Sequence, residues 1–211
     1  GVIEFAETET DQEGMLELLG MLKMSVKKLD GFVVDILNYS RNARMHIESE
    51  RINLNELVTT IVHDLRFMNA GNSNVNINIK IDPAAELYSD KSRIKMIVSN
   101  LLANALRYHD PAKTDPYVNI LVEDGDKGLA ISIEDNGIGI AEDHHEKIFD
   151  MFYRASVMSE GTGIGLYIVK ETVEKLKGRI ELNSEPGKGS VFTIFLPTTK
   201  EKYDAHDRRE K

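Results

Sequence analysis

Residues 117–140 read YVNILVEDGDKGLAISIEDNGIGI. The apolar runs Val118–Val122 and Leu129–Ile133 flank Asp124-Gly125-Asp126-Lys127-Gly128, a turn-forming cluster, so the stretch predicts two strands of a hairpin. The second strand runs into Asp135-Asn136-Gly137-Ile138-Gly139-Ile140. An aspartate at a strand end can accept hydrogen bonds from a ligand's amino group. Two glycines nearby allow close backbone approach and left-handed dihedrals. Taken alone, the segment also reads as an ordinary Asx turn.

Outward from this hairpin the pattern alternates between helix and strand. Asn53 and Glu56 have the spacing of a capping box, and Leu54, Leu57, Val58, Ile61, Val62 and Leu65 form one apolar helix face behind it. Val75, Ile77, Ile79 and Ile81 alternate and predict a strand with one buried face. Asp90 caps a helix with the stripe Ile94, Ile97, Val98, Leu101, Leu102 and Ala105. On the far side, a short helix is expected over Ala141–Met151 and another from Gly165 to Leu176. Ile180–Leu182 and Val191–Leu196 predict a closing hairpin around Pro186-Gly187-Lys188-Gly189. Hairpins interleaved with helices imply a two-layer α/β sandwich, a mixed sheet with helices on one face.

Before this unit, Met15, Leu19, Leu22, Val26, Leu29, Val33 and Ile36 repeat at spacings of four and three, a coiled-coil-like stripe. A helix over Gln12–Ser49 would exceed about 50 Å and needs a partner helix to bury that stripe. Residues 1–12 read as a linker and 199–211 as a charged, disordered tail. The remaining divisions are 13–50 for the long helix and 51–198 for the sandwich. The start Gly1-Val2-Ile3-Glu4 is neither a signal peptide nor a usual first residue, and is expected to be a cut within a longer chain.

Composition narrows the function classes. The chain has 211 residues, 41% of them hydrophobic, enough for a core, and a formal charge of −9. An acidic surface argues against nucleic acid as a partner. No cysteine is present, which excludes disulfides, thiolate metal clusters and a cysteine nucleophile. No apolar run reaches about 18 residues, so no membrane contact by this piece is expected.

Two further segments carry chemistry. Asn100, Asn104 and Arg107 of Asn100-Leu-Leu-Ala-Asn104-Ala-Leu-Arg107-Tyr108 fall on one helix face, opposite the apolar stripe. They offer amide oxygens for a hard cation and a positive charge for phosphate; alone, they read as a solvated face. Gly161-Thr162-Gly163-Ile164-Gly165-Leu166 opens onto a helix N-terminus, which suits phosphate through backbone N–H groups and the helix dipole. It is not the dinucleotide fingerprint, because Leu166 stands where the last glycine belongs. Gly187-Lys188-Gly189 is not a P-loop.

In order along the chain, Asn100…Asn104, Asp135-x-Gly-x-Gly, Ile148-Phe149-Asp-Met-Phe152 and Gly161-x-Gly-x-Gly-Leu resemble the four nucleotide-binding boxes of sensor histidine kinases. The resemblance covers residues 14–198 and implies the Bergerat ATP-binding fold. It implies ATP and Mg²⁺ as cofactors. Asp135 would bind the adenine amino group, and Gly137 and Gly139 would shape that end of the pocket. Asn104 would hold Mg²⁺ with Asn100 assisting. Arg107 would face the phosphates and Tyr108 would lie near the adenine. Phe149 and Phe152 would anchor a lid over Tyr153–Glu160, and Arg154 would touch the γ-phosphate or the histidine-bearing domain. Gly161, Thr162, Gly163, Gly165 and Leu166 would form the phosphate loop.

The long helix resembles the second helix of the dimerisation and histidine-phosphotransfer hairpin, whose first helix, with the phosphoacceptor histidine, is missing. Partners implied are a second copy through that helix and a response-regulator receiver domain. The location implied is cytoplasmic, with a parent open to membrane attachment upstream. Departures from the family pattern are His109 after the aromatic, Ile164 in the second glycine box, and a short lid.

ATP-hydrolysing relatives of the same fold, such as type II topoisomerases, mismatch-repair proteins and chaperones, resemble each other in a glutamate one turn before the metal-binding asparagine. Asn100 stands there and cannot act as a base. A scaffold with a degenerate pocket is disfavoured by the intact motifs. His63-Asp64-Leu65-Arg66 imitates the phosphoacceptor motif, but no proline follows and His63 falls opposite the apolar face of its helix. His144-His145 reads as a solvated helix start rather than a metal site.

Overall fold

The computed structural model describes residues 12–44, 46–68, 75–125, 128–155 and 162–197. The expected linker 1–12 and tail 199–211 lie almost wholly outside them, as does Gly161.

The chain opens with α1, Gln12–Arg44, whose 33 residues span about 50 Å at 1.5 Å each. It stops five residues before the expected end. After it, β1 (Glu50–Ile52) pairs antiparallel with β3 (Leu87–Ser89). These three-residue strands are too short for a periodic pattern and were not anticipated.

The sandwich proper begins at α2, Leu54–Met68. Asn53 caps it: its Oδ1 accepts from the Glu56 N–H at 3.2 Å. α3, Lys91–Arg107, is capped by Asp90, whose Oδ1 accepts from the Arg93 N–H at 3.1 Å. α4, Gly165–Lys175, completes the helical layer. The strands β2 (Asn76–Ile81), β4 (Tyr117–Gly125), β5 (Gly128–Asp135), β6 (Arg179–Glu185) and β7 (Gly189–Leu196) form one sheet in the order β2-β4-β5-β7-β6. β2 and β4 are parallel and the other neighbours antiparallel, so the sheet is mixed, as expected.

Alternation along the strands sends two chemistries to two faces. Val118, Ile120 and Val122, with Leu129, Ile131 and Ile133, are buried under the stripes of α2, α3 and α4. The opposite face is polar and cross-linked: Asn78 donates to Asn119, Asn119 to Glu134, and Ser132 meets Thr193. The helices thus cover one face, which is the architecture read from the sequence.

Two expectations fail locally. Ala141–Met151 is not an α-helix but two 3₁₀ turns, Glu142–His144 and Lys147–Phe149. Bonds from His145 N to Glu142 O and Asp150 N to Lys147 O close each turn early, and Ile148 drops into the core. The alternating face of β2 is also incompletely covered. β2 is an edge strand, and Ile79 remains 39% exposed although Val75 is buried. Among the described residues no helix is long and apolar enough to cross a membrane.

Candidate functional site

The site is assembled at one end of the sandwich, where α3 ends, β5 ends and α4 begins. On α3, the Asn100 amide nitrogen donates to Met96 O at 2.9 Å, back along its own helix. That bond turns Oδ1 toward the first residue of α4. A Cβ added to Gly165 would stand 2.9 Å from Asn100 Oδ1, so glycine is what lets the two helices approach there. Asn104 follows one turn later, half-buried, and Arg107 is exposed in the last turn.

Tyr108 caps the helix C-terminus, its N–H donating to Asn104 O at 2.9 Å. Its own carbonyl accepts from Ile138 N at 3.0 Å. A Cβ on Gly137 would come within 2.3 Å of that carbonyl. The end of α3 is therefore stitched to the loop after β5 by backbone contact that a side chain would block.

Asp135 closes β5, opposite Val118 on one side and Ser190 on the other. Its Oδ1 accepts from Gly137 N at 2.8 Å. Burial pushes the carboxyl above the usual 3.8, against the lowering effect of the Gly137 and Ser190 amides; Glu134 adds to the rise and Lys113 opposes it. The loop then lies on the β6–β7 hairpin. Gly139 has φ +69°, and a Cβ there would meet Glu185 O at 1.9 Å. Gly187 N donates to Ile138 O at 2.7 Å.

The second glycine segment sits across a narrow neck. Phe152 N donates to Gly163 O at 2.9 Å, and both residues have positive φ, +69° and +74°. A Cβ on Gly163 would stand 2.8 Å from Phe152 C. Thr162 Oγ1 accepts from Ile164 N at 3.3 Å. Among the described residues no side chain caps the N-terminus of α4 at Ile164. The first-turn amides of this 11-residue helix thus face the Asn100 side of the site, an arrangement suited to an anion.

The phenylalanines divide their roles. Phe149 packs edge-on to Phe192, centroids 6.5 Å apart, and joins the core margin. Phe152 is 54% exposed and stacks on Phe32 of α1 at 5.9 Å. Leu166 packs against the core rather than lining an open surface. Arg154 is exposed; beyond Ala155 the expected lid lies outside the described residues. His63 has a side chain 82% exposed, as its helix phase predicts.

Sequence reasoning missed three features. His144 and His145 are half-buried and bonded, not solvated: His144 Nδ1 meets Tyr153 OH at 2.7 Å, and His145 Nε2 meets Ile140 O at 3.0 Å. They form no metal cluster among the described residues. Ser184 and Ser190 are buried beneath the loop after β5. Arg93, which no sequence pattern singles out, is 3% exposed and ion-paired to Asp90.

A helical layer carrying paired asparagines, facing two glycine loops and a strand-end carboxylate, defines an ATPase-type nucleotide-binding domain. Residues 89–200, just over half of the chain, match the family of histidine kinase-, DNA gyrase B- and HSP90-like ATPases, and the chain belongs to that family. It is 32% identical over 190 residues to cyanobacterial phytochrome B of Nostoc sp., covering 88% of this chain and 25% of that one. It is 27% identical over 208 residues to the sensor histidine kinase ZraS of Klebsiella oxytoca, covering 97% and 43%. The chain thus spans less than half the length of these relatives. Among solved structures, the catalytic domain of histidine kinase ThkA superposes with a TM-score of 0.62 at 29% identity, covering 74% of this chain and 99% of that one.

Proposed function

We propose that this chain is the ATP-binding catalytic part of a sensor histidine protein kinase. It moves the γ-phosphoryl group of ATP onto a histidine that is none of the six in this chain, and from there to an aspartate of a response regulator. Residues 51–198 form the ATP-binding unit and 13–50 the second helix of the dimerisation hairpin. The relatives' names support this reading. The observation that carries it is the meeting of Asn100 and Gly165, which joins the asparagine face of α3 to the uncapped start of α4.

The residues fit the nucleotide. Asp135 offers a half-buried carboxylate at the end of β5, and the closeness of Tyr108 O to Gly137 leaves the backbone bare there. Mg²⁺ would be held by the side-chain oxygen of Asn104, with Asn100 assisting, and would neutralise phosphate charge. Arg107 adds positive charge beside it. The first amides of α4 orient the phosphate chain. Transfer needs an imidazole nitrogen to form a bond to the γ-phosphorus as the bond to the β–γ bridging oxygen breaks and ADP leaves. The site supplies position and charge for that. Asn100 offers no lone pair basic enough to activate water, so hydrolysis is slow.

The test is calorimetry with ATP and ADP on the parent chain and Asp135→Ala. Leaving the adenine amino group unpaired in a closed pocket costs about 1–3 kcal/mol, roughly tenfold to a hundredfold in affinity. Unchanged affinity would remove Asp135 from the site.

A further inference from the structure

Hydrogen bonds and short backbone steps lead from Asp135 across the site to the neck at Phe152 and Gly163, through residues that the nucleotide reading does not use. The Ser190 amide donates to Asp135. The hydroxyls of Ser190 and Ser184 are 2.9 Å apart, and Ser184 Oγ also donates to Gly189 O. Ile140 N donates to Ser184 Oγ at 2.8 Å. From Ile140 the run passes to the histidine pair. A carbonyl only accepts, so His145 Nε2, 3.0 Å from Ile140 O, carries a proton and donates. The adjacent His144 presents Nδ1 to Tyr153 OH at 2.7 Å, with the two rings 6.0 Å apart. Tyr153 packs against the core and follows Phe152, whose N–H holds Gly163 O. Two residues further on, Gly165 abuts Asn100.

We infer that His144 and His145 are positioning residues: they brace the neck formed by Phe152, Tyr153 and Gly163, and so fix the start of α4 relative to Asp135. The brace is needed because the neck is held in an uncomfortable shape. Phe152 has a bulky side chain at φ +69°, a conformation disfavoured for such residues and kept only when its surroundings over-determine it. Both imidazoles, at the end of the 3₁₀ turn Glu142–His144, are half-buried and hydrogen-bonded. One ring is tied to the base-recognising loop and its neighbour to the neck. The two ends of a ligand that spans the cleft, an adenine base and a polyphosphate, are thereby held at one spacing.

This inference rests on the nucleotide reading, and its test separates the two. Calorimetry on the whole chain would measure ATP and ADP. Adenosine, which lacks phosphate, would be followed by ligand-detected NMR. Tyr153→Phe keeps the packing and removes the hydroxyl. His144→Ala and His145→Ala remove the imidazoles. Each is expected to weaken ATP and ADP about threefold to tenfold while changing adenosine less than about twofold, the scale of one lost net hydrogen bond. His144→Asn, whose amide end falls near Nδ1, should restore ATP affinity. His145→Gln, whose amide nitrogen falls near Nε2, should do the same. His144→Gln and His145→Asn should not. A parent chain that binds no ATP would refute the nucleotide reading itself. A parent that binds ATP, with Tyr153→Phe and His144→Ala binding it equally well, would overturn the brace. So would a loss that is the same for adenosine and ATP, which would report general damage to the fold.

Discussion

In the proposed reading, Asp135 accepts the adenine amino group as a carboxylate although it is largely withdrawn from water. Burial raises its carboxyl above the usual 3.8, and the Gly137 and Ser190 amides recover only part of that cost. The ionised form is the one that receives an amino group best, so protonation and nucleotide binding compete. Affinity should therefore fall on acidification, with the decline centred above 3.8 and nearer neutrality than for an ordinary aspartate. Calorimetric titrations with ADP between mildly acidic and neutral pH would show it. Asp135→Asn keeps a carbonyl acceptor but cannot titrate, so its profile should retain only the nucleotide's own acid dependence. Identical profiles for the two proteins would mean that Asp135 is not the titrating acceptor. At this scale the sequence was informative wherever a residue type has few uses. An aspartate at a strand end before two glycines is such a case, as is a pair of asparagines one turn apart. His144 and His145 gave no such signal. Their partners are a tyrosine nine residues away and a backbone carbonyl, and a polar pair amid Glu142, Asp143 and Glu146 has the composition of a solvated turn.

Elements whose stripe extends over several turns were legible; those defined by tertiary contact were not. α2, α3 and α4 each repeat apolar residues at helical spacing and stand where the pattern puts them. β1 and β3 hold three residues apiece and exist because they pair with each other. Next to that small sheet is a joint that no pattern announces. Asp90 not only caps α3 but accepts from Ser92 Oγ at 2.6 Å and from Glu48 N at 3.3 Å. Arg93 pairs with the same carboxylate and donates to His46 O at 3.3 Å. One buried ion pair thus fastens the segment after α1 to the first turn of the helix that carries Asn100 and Asn104. Removing one partner strands the other charge at 5% exposure. Arg93→Ala should cost about 3–5 kcal/mol in urea denaturation, well beyond a surface substitution. Burial alone would raise the Asp90 carboxyl, but the Ser92 hydroxyl, the Arg93 and Glu48 amides and the Arg93 charge together hold it below 3.8. Because the folded value is the lower one, this stability is complete above about pH 3.8 and is lost as pH falls through the folded value. Arg93→Ala should accordingly narrow the difference in stability between neutral and acid solution. A loss under about 1 kcal/mol would show that the joint contributes little.

At the scale of the molecule, the sandwich buries its own core while α1 does not. Leu19 is 53% exposed, Val26 57%, Leu29 62%, Val33 49% and Ile36 40%. These are five of the seven stripe positions, spaced for a coiled-coil seam. α1 does touch the sandwich, but beside the stripe: Gly31 lies 3.9 Å, measured from an added Cβ, from Thr162, and Phe32 stacks on Phe152. One face of the helix therefore addresses the nucleotide end of the domain and leaves the seam uncovered. Covering a Leu, Ile or Val contributes about 1.5–3 kcal/mol each when burial is complete, so a seam of this length readily drives association. Light scattering over a concentration series should show growth beyond a monomer. Substituting Val26→Glu with Leu29→Glu, two exposed seam positions, should return the chain to a monomer without altering ADP affinity, because the contacts of Gly31 and Phe32 with the sandwich are kept. Loss of ADP binding in that variant would mean that α1 supports the site and is not merely an oligomerisation surface. A strict monomer at high concentration with α1 fully helical would mean that the stripe is left bare in solution.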